Sequence, residues 1–199
     1  MSKRKEAWQQ FSNEIQATYA KGGIIKSDKI EAIFQNWQIV YDIVSIPIGV
    51  APTVVILNYT RIRTPFVAKT DFQFRISKKN FLDKVAEKFG KSNIATGDSR
   101  IDDNFIIKSN SAEKVKYLLS DEKIKNLLLE KADSDFEISH GYKSIGRQFP
   151  KDCDGLSLIV LCESKDKNML MLYYNLFGEI LTSLVESGEI EEAAIDVKL

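Results

Sequence analysis

Apolar residues recur at helical spacing in the first part of the chain, three and four positions apart, at Trp8, Phe11, Ile15 and Tyr19. This spacing places their side chains along one side of a helix, with polar residues on the other. Glycine is the usual residue just past a helix end, so Gly22-Gly23 marks a stop. The pattern predicts a helix from about Lys3 to Tyr19.

The longest helical pattern lies near the C-terminus. Between about Lys167 and Ser187 a wide apolar stripe runs up to Gly188, which predicts a long helix lying flat against a sheet. Shorter helices, with Asn80 and Ser111 as N-cap residues, are predicted at Phe81–Phe89, Ala112–Leu119 and Lys123–Lys131.

Strand-like segments rich in β-branched and aromatic residues fill much of the rest: Lys29–Gln35, Trp37–Ile46, Thr53–Thr64, Phe72–Ser77, Phe105–Lys108, Phe136–Ser139 and Leu156–Glu163. Phe72–Ser77 alternates strictly between apolar and polar residues, which predicts one buried face and one solvent-exposed face. Leu156–Glu163 is apolar on nearly both faces, which predicts a central strand.

Strands are grouped along the chain and do not alternate regularly with helices. This order predicts an α+β fold, with helices packed on one face of a curved antiparallel sheet. The element order invites comparison with helix-grip or TATA-binding-protein-like sheets. The length of 199 residues fits a single domain, or two fused halves at about 1–90 and 91–199.

The balance of charged residues indicates which class of partner the chain binds. Lysine and arginine number 28, and aspartate and glutamate also number 28, so the formal net charge is zero. Domains that bind nucleic acid usually carry a basic excess, because phosphate neutralisation dominates their affinity. The balance argues against nucleic acid as the main partner.

The small number of cysteines and the interrupted apolar runs predict the cellular location. Two cysteines do not make a disulfide framework, and Cys162 follows an apolar strand as a buried, reduced residue would. No apolar h-region follows the basic N-terminus, and the longest apolar run, Ile43–Leu57, is interrupted by prolines and a glycine. These features predict a soluble cytoplasmic protein without a transmembrane segment.

An acidic loop is the first candidate site. Asp98, Asp102 and Asp103 could together present oxygen ligands to a hard cation. Their spacing does not match an EF-hand loop. The alternative, which the turn preference of aspartate favours, is that Gly97-Asp98 forms a turn and Asp102 or Asp103 accepts hydrogen bonds from backbone amides.

An arginine cluster is the second candidate site. Arg61 and Arg63, with Tyr59 on the same side of their strand, and Arg75 are expected on the solvent-exposed faces of two neighbouring strands. The arginine fork suits bidentate binding of a carboxylate or phosphate, so the cluster could hold an anionic ligand. The alternative, which is favoured, is a solvated sheet face on which the arginines pair with Asp42 or Glu31.

No catalytic constellation accompanies these candidates. His140, the single histidine, stands in a predicted loop, where a solvated side chain is expected, and no nucleophile-elbow pattern frames a serine or cysteine. No cofactor is expected.

Residues Glu87–Leu129 read EKFGKSNIATGDSRIDDNFIIKSNSAEKVKYLLSDEKIKNLLL. The stretch resembles the central segment of a loosely defined group of bacterial proteins of unknown function, whose pattern is "tGD..fD..F.ik" followed by a helix ending in two leucines. The matching residues are Gly97-Asp98, Asp102 or Asp103, Phe105, Ile107 and Leu118-Leu119, while Ile101 replaces the usual aromatic residue. The resemblance implies no activity, substrate or cofactor.

The sequence therefore predicts a non-enzymatic module that binds a protein, a lipid or another small ligand through its sheet face or a groove beside the long helix. The alternative is a metal-assisted hydrolase or phosphate-handling enzyme that uses the Asp98, Asp102 and Asp103 loop. Homo-oligomerisation is left open.

Overall fold

A computed structural model describes residues 2–23, 27–48, 53–79, 93–130, 136–140, 154–161 and 164–192. Within these ranges the helices are α1 (Lys3–Glu14), α2 (Ser99–Asp102), α3 (Ala112–Leu118), α4 (Glu122–Glu130) and α5 (Lys167–Glu186). The strands are β1 (Thr18–Ala20), β2 (Lys29–Phe34), β3 (Trp37–Ile48), β4 (Val55–Phe66), β5 (Phe74–Lys78), β6 (Phe105–Ser109), β7 (Phe136–His140) and β8 (Asp154–Leu161). The predicted helix Phe81–Phe89 and both cysteines lie outside the described residues.

These strands form one antiparallel sheet in the order β1-β2-β3-β4-β8-β7-β5-β6. The late strands β7 and β8 lie between β4 and β5, which are much closer together in the chain. The predicted α+β class and the curved antiparallel sheet are confirmed.

A row of apolar side chains crosses the sheet and defines its core face. Strand register aligns Ile30, Tyr41, Ile62, Leu158, Ile138, Ile76 and Ile107. All are fully buried. Since residues directly opposite one another on paired strands point to the same face, this row marks the side that the helices cover.

The long helix α5 covers this face. Its buried residues include Leu170, Tyr173, Phe177, Ile180 and Leu184, which belong to the same core as the apolar row. Helix α1 lies beside α5 and adds Trp8 and Phe11, and the Phe11 ring meets Tyr41 edge-on with centroids 5.1 Å apart. An antiparallel sheet packed against a long C-terminal helix is the helix-grip arrangement, one of the two comparisons made above.

The first helix is shorter than its apolar spacing predicts. α1 ends at Glu14, and Gln16 adopts a left-handed backbone with φ of 55°. Thr18–Ala20 then pairs with β2 as strand β1, and the Tyr19 hydroxyl donates to Asp28 at 3.1 Å. Pairing at the sheet edge outweighs the helical continuation, because it satisfies backbone groups that a frayed helix end would leave to solvent.

The prediction of one solvent-exposed face at Phe72–Ser77 is wrong. Strand β5 begins at Phe74, and both its apolar residues and the alternating Arg75 and Ser77 are buried. β5 is an interior strand, paired with β6 on one side and β7 on the other.

Candidate functional site

A groove of about 410 Å³ opens beside the C-terminal end of α5. It lies between α3, the last turns of α5 and the segment that leads into β5. Phe72, Leu118 and Leu184 supply its apolar surface, and Tyr117 stands exposed at its rim. Small-molecule sites in proteins are usually concave, largely apolar and about 300–1,000 Å³ in volume, so this groove has the size of a ligand site.

Local sequence features build the walls of the groove. Ser111 caps α3, its Oγ accepting from the Lys114 amide at 3.3 Å. Gly188 ends α5 in a left-handed conformation with φ of 74°, which a residue without Cβ adopts easily. The chain then reverses, and the amide of Lys69 donates to the carbonyl of Glu189 at 2.8 Å. Glu189 is thereby held at the groove beside the segment that carries Phe72.

A small polar cluster stands against this apolar surface. The Glu189 carboxylate, whose side chain is only 5% exposed, accepts from Lys114 Nζ at 2.9 Å and from the Thr70 hydroxyl. Lys114 Nζ also lies 5.6 Å from the centre of the Phe72 ring. Lys114 Nζ lies 3.5 Å from Thr70 Oγ1 as well, and the Lys114 side chain is 38% exposed. An ammonium has three donors, so one remains after these two contacts.

The groove residues were not singled out by the sequence analysis, although it predicted a groove beside the long helix. Ser111 and Gly188 were recognised as helix ends. That the two helix ends meet is a consequence of how α3 and α5 pack, which no short-range pattern encodes.

Arg61 and Arg63 both bind Asp42. Arg61 donates from Nε and Nη2 to the two carboxylate oxygens at 2.8 and 2.6 Å, and Arg63 Nη2 donates to Oδ2 at 2.9 Å. Burial lowers the pKa of the Arg63 guanidinium, while the Asp42 carboxylate opposes this shift. The pairing with Asp42 matches the structural alternative in the sequence analysis, but these groups are buried and not solvated.

Arg75 is separated from the other two arginines, which corrects the prediction that they occupy neighbouring strands. Register places Arg63, Ser157, Ser139 and Arg75 in one row across β4, β8, β7 and β5. At about 4.8 Å between strands, the row spans roughly 14 Å. The two serine hydroxyls lie 3.1 Å apart, and every residue of the row is at most 4% exposed. Across these four strands the sheet face is polar yet buried.

Tyr59 lies on the same face of β4 as Arg61 and Arg63, as the alternation predicted. It is 4% exposed, and burial raises the pKa of its hydroxyl. The residues proposed to hold an anion are thus enclosed and not displayed on a wet surface. Their assignment to a ligand remains a prediction.

The acidic loop gives each carboxylate a different role. Asp98 caps α2 by accepting from the Arg100 amide at 3.1 Å, and the Arg100 guanidinium beside it holds the pKa of Asp98 well below its usual range. Asp102 accepts from the amide and hydroxyl of Thr96, both at 2.8 Å, and from the Gly97 amide at 3.0 Å. Asp103 closes α2, its amide donating to the Ser99 carbonyl.

Burial alone would raise the pKa of Asp102, but the hydrogen bonds from Thr96 and Gly97 lower it. Within the part of the chain that the structure describes, no three His, Cys, Asp or Glu side chains are grouped so that they could hold a metal ion. The loop has the geometry of a turn with a helix cap, which is the alternative that the turn preference of aspartate favoured, and a metal site there remains a prediction.

His140 lies in a buried strand and not in a solvated loop as expected. It is the last residue of β7, fully buried, and its ring meets those of Phe66, Phe72 and Phe74 at centroid distances of 4.9, 5.9 and 5.7 Å. A solvated loop histidine was expected. Register with Leu156 and Phe74 turns the side chain toward the helix-covered core.

Among the described helices, none combines the length and the apolar character needed to cross a bilayer.

No protein-family model and no curated protein sequence matches the chain. The resemblance of Glu87–Leu129 to a bacterial group therefore stays a prediction. The crystal structure of the mycobacterial trehalose monomycolate transport factor A, TtfA, is similar in three dimensions, with a TM-score of 0.54 at 6% sequence identity. The match covers 92% of this chain and 96% of that chain. At this identity the likeness shows the fold, and it accords with the helix-grip arrangement of sheet and long helix.

Proposed function

We propose that this chain is a non-enzymatic binding module that holds a small amphipathic ligand in the groove beside the C-terminal end of α5. The observation that carries the proposal is a cavity with apolar side chains on its walls and the Lys114–Glu189 pair beside them. Such a site suits a molecule with an apolar body and one polar end.

The polar cluster defines which polar end fits. Glu189 already balances the charge of Lys114, so the site does not require an anion to neutralise it. The third donor of the Lys114 ammonium, beyond its contacts with Glu189 and Thr70, favours a ligand end that accepts a hydrogen bond, such as a carboxylate, a sulfonate or a hydroxyl group. The apolar body would lie on Phe72, Leu118 and Leu184, since burying apolar area contributes about 25 cal/mol per Å².

The fold neighbour is consistent with a binding role. TtfA is a trehalose monomycolate transport factor, so one protein with this fold is linked to transport. Binding without catalysis is consistent with that role. The proposal for this chain rests on its own groove residues.

A fluorescence titration with anilinonaphthalene sulfonate tests the proposal, because this probe joins an apolar ring system to a hydrogen-bond acceptor. We expect saturable one-to-one binding to the folded protein and displacement by dodecanoate. Lys114→Met should weaken binding roughly tenfold, the effect of losing one charge-assisted hydrogen bond. Tyr117→Ala should weaken it less, because its side chain lies at the rim.

Matched controls separate the groove from general effects. Lys123→Met removes a lysine whose side chain is 75% exposed on α4, and Ile33→Ala shortens a side chain that is 64% exposed on β2. Both should bind the probe like the unmodified protein. If Lys114→Met and Lys123→Met bind equally well, or if binding is not saturable, the groove is not the site.

A further inference from the structure

Strands β3 and β4 extend beyond the rest of the sheet as a two-stranded ribbon. β2 pairs with β3 only as far as Asp42, and β8 pairs with β4 only from Thr60 onward. Among the described residues, the ribbon segments 44–48 and 55–59 pair only with each other. At about 3.4 Å per residue the ribbon is roughly 17–20 Å long.

The ribbon carries no charge. No Asp, Glu, Lys or Arg occurs between Ile43 and Thr60, in a chain of which 28% is charged. The ribbon also displays large apolar side chains: Val54 is 49% exposed, Val55 54% and Ile56 67%. Scattered exposed apolar residues are ordinary, but three in succession at the end of an uncharged ribbon form a patch.

Both faces of the ribbon are apolar near its end. Successive strand residues point to opposite faces, so Val55 and Ile56 lie on different sides of the ribbon. The interfacial region of a lipid bilayer surrounds a segment that enters it, and it therefore contacts both faces of the ribbon end.

Basic residues lie at the base of the ribbon, on the side of the helices. The amide of Ser164 donates to Thr60 Oγ1 at 2.8 Å, which places the exposed Lys165 beside the ribbon base. Lys3, in the first turn of α1, shares a shallow depression with Lys165. Arg4 in the same turn pairs with Asp28, which directly precedes β2.

Basic residues outnumber acidic ones in this region. The basic residues are Lys3, Arg4, Lys5, Lys165 and Lys167, and the acidic ones are Glu6, Glu14, Asp28 and Asp166. Lys167 is paired with Glu14 at 2.6 Å. Asp28 is occupied by Arg4, and Asp166 caps α5 by accepting from the Asn168 amide. An uncharged apolar projection beside exposed lysines complements an anionic bilayer surface, where each lysine near the lipid contributes about 1 kcal/mol.

We propose that the β3–β4 ribbon docks this protein on the surface of a bilayer that contains anionic lipid. The ribbon lies oblique to the surface: Val54, Val55 and Ile56 enter the boundary between headgroups and acyl chains, and Lys3 and Lys165 at its base face the headgroups. The ribbon does not reach the bilayer centre, because its outer edges carry backbone groups that need water or headgroup partners.

Flotation with vesicles tests this surface. Vesicles of phosphatidylcholine and phosphatidylglycerol in equal parts should carry the full chain upward, and vesicles of phosphatidylcholine alone should carry much less. Ile56→Glu should lower the bound fraction at least about tenfold, as expected for a charge placed in the apolar interface. Ile33→Glu, on a side chain of nearly equal exposure, should have little effect.

A paired charge reversal tests the lysines. Lys3→Glu with Lys165→Glu should abolish the preference for phosphatidylglycerol, whereas Lys116→Glu with Lys123→Glu, which makes the same change in net charge on α3 and α4, should preserve it. Ile56→Trp adds a direct probe, since both native tryptophans are buried. Its emission should shift to the blue and be quenched by brominated lipid.

Four outcomes would contradict membrane docking by the ribbon. The proposal fails if the unmodified chain does not float, if both vesicle types bind equally, or if Ile33→Glu and Ile56→Glu behave alike. It also fails if light scattering shows a dimer that Ile56→Glu converts to a monomer, because the ribbon would then join two copies. Thermal melts followed by circular dichroism confirm that each variant is folded.

Discussion

The ring of Phe34 lies against the backbone of Gly178 in the middle of α5. A Cβ atom added at Gly178 would fall within 2.8 Å of three carbons of that ring. One turn earlier, the Tyr174 hydroxyl donates to the carbonyl of Ile33 at 3.0 Å, and the Tyr174 ring meets Phe34 edge-on. The glycine thus allows the long helix to approach the end of β2 closely.

Gly178→Ala should destabilise the protein. Alanine improves helix propensity by about 1 kcal/mol, but overpacking against a ring costs typically 1–3 kcal/mol. We expect a net loss of about 1 kcal/mol in the free energy of unfolding, measured by urea denaturation. In a Phe34→Leu background the same change should become neutral or stabilising. An equal loss in both backgrounds would mean that the ring contact is not the cause.

Asp42→Asn should be far more damaging than a change at an exposed carboxylate. The substitution removes the carboxylate charge and one of the two oxygens that the buried guanidinium groups of Arg61 and Arg63 share, and breaking a buried ion pair costs about 3–5 kcal/mol. Glu122→Gln, at a side chain that is 60% exposed, should cost under about 1 kcal/mol. Chemical denaturation measures both. Similar losses would contradict the burial of the Asp42 pair.

Asp28 should make stability depend on acid pH. Burial would raise the pKa of this carboxyl, but hydrogen bonds from the Gly22 amide and the Tyr19 hydroxyl, together with Arg4, lower it. Because the folded pKa lies below the unfolded value, its contribution is complete above about pH 4 and is lost as the pH falls through the folded pKa. Asp28→Asn should remove that part of the dependence of Tm on pH. A profile that keeps its full acid slope would exclude Asp28 as the source.

Asp102→Asn should destabilise the loop that precedes β6. The carboxylate accepts three hydrogen bonds from Thr96 and Gly97, and replacing one oxygen with an amide should cost about 1–2 kcal/mol. Millimolar Ca²⁺ or Mg²⁺ should leave the Tm of the unmodified protein unchanged. A rise in Tm with either cation, lost in Asp102→Asn, would instead support the metal-dependent alternative.

The bounds of most helices could be predicted from short-range sequence patterns. α5, α3 and α4 match their predicted bounds within about one or two residues, because apolar spacing and caps such as Ser111 act over a few positions. α1 was predicted too long because Tyr19 satisfies the helical spacing equally well. Its pairing with β2 and its bond to Asp28 depend on residues further along the chain.

The arrangement of the candidate sites could not be predicted from short-range sequence patterns. Arg61 and Arg75 were expected on neighbouring strands because their segments are close in sequence. The insertion of β7 and β8 between them separates the arginines and encloses both. The groove at Lys114 and Glu189 could not be anticipated, because the two residues meet only after α3 and α5 pack on the same sheet.

The sequence by itself determined the α+β class, the long C-terminal helix, most strand positions and the uncharged run from Ile43 to Thr60. These properties depend on composition and on periodicities within a single element. The tertiary structure alone decided the strand order, the burial of both faces of β4, β8, β7 and β5, the separation of Asp98 and Asp102 into local roles and the existence of the groove. Such features arise from contacts between distant segments, and periodicity within one element carries no information about which segments meet.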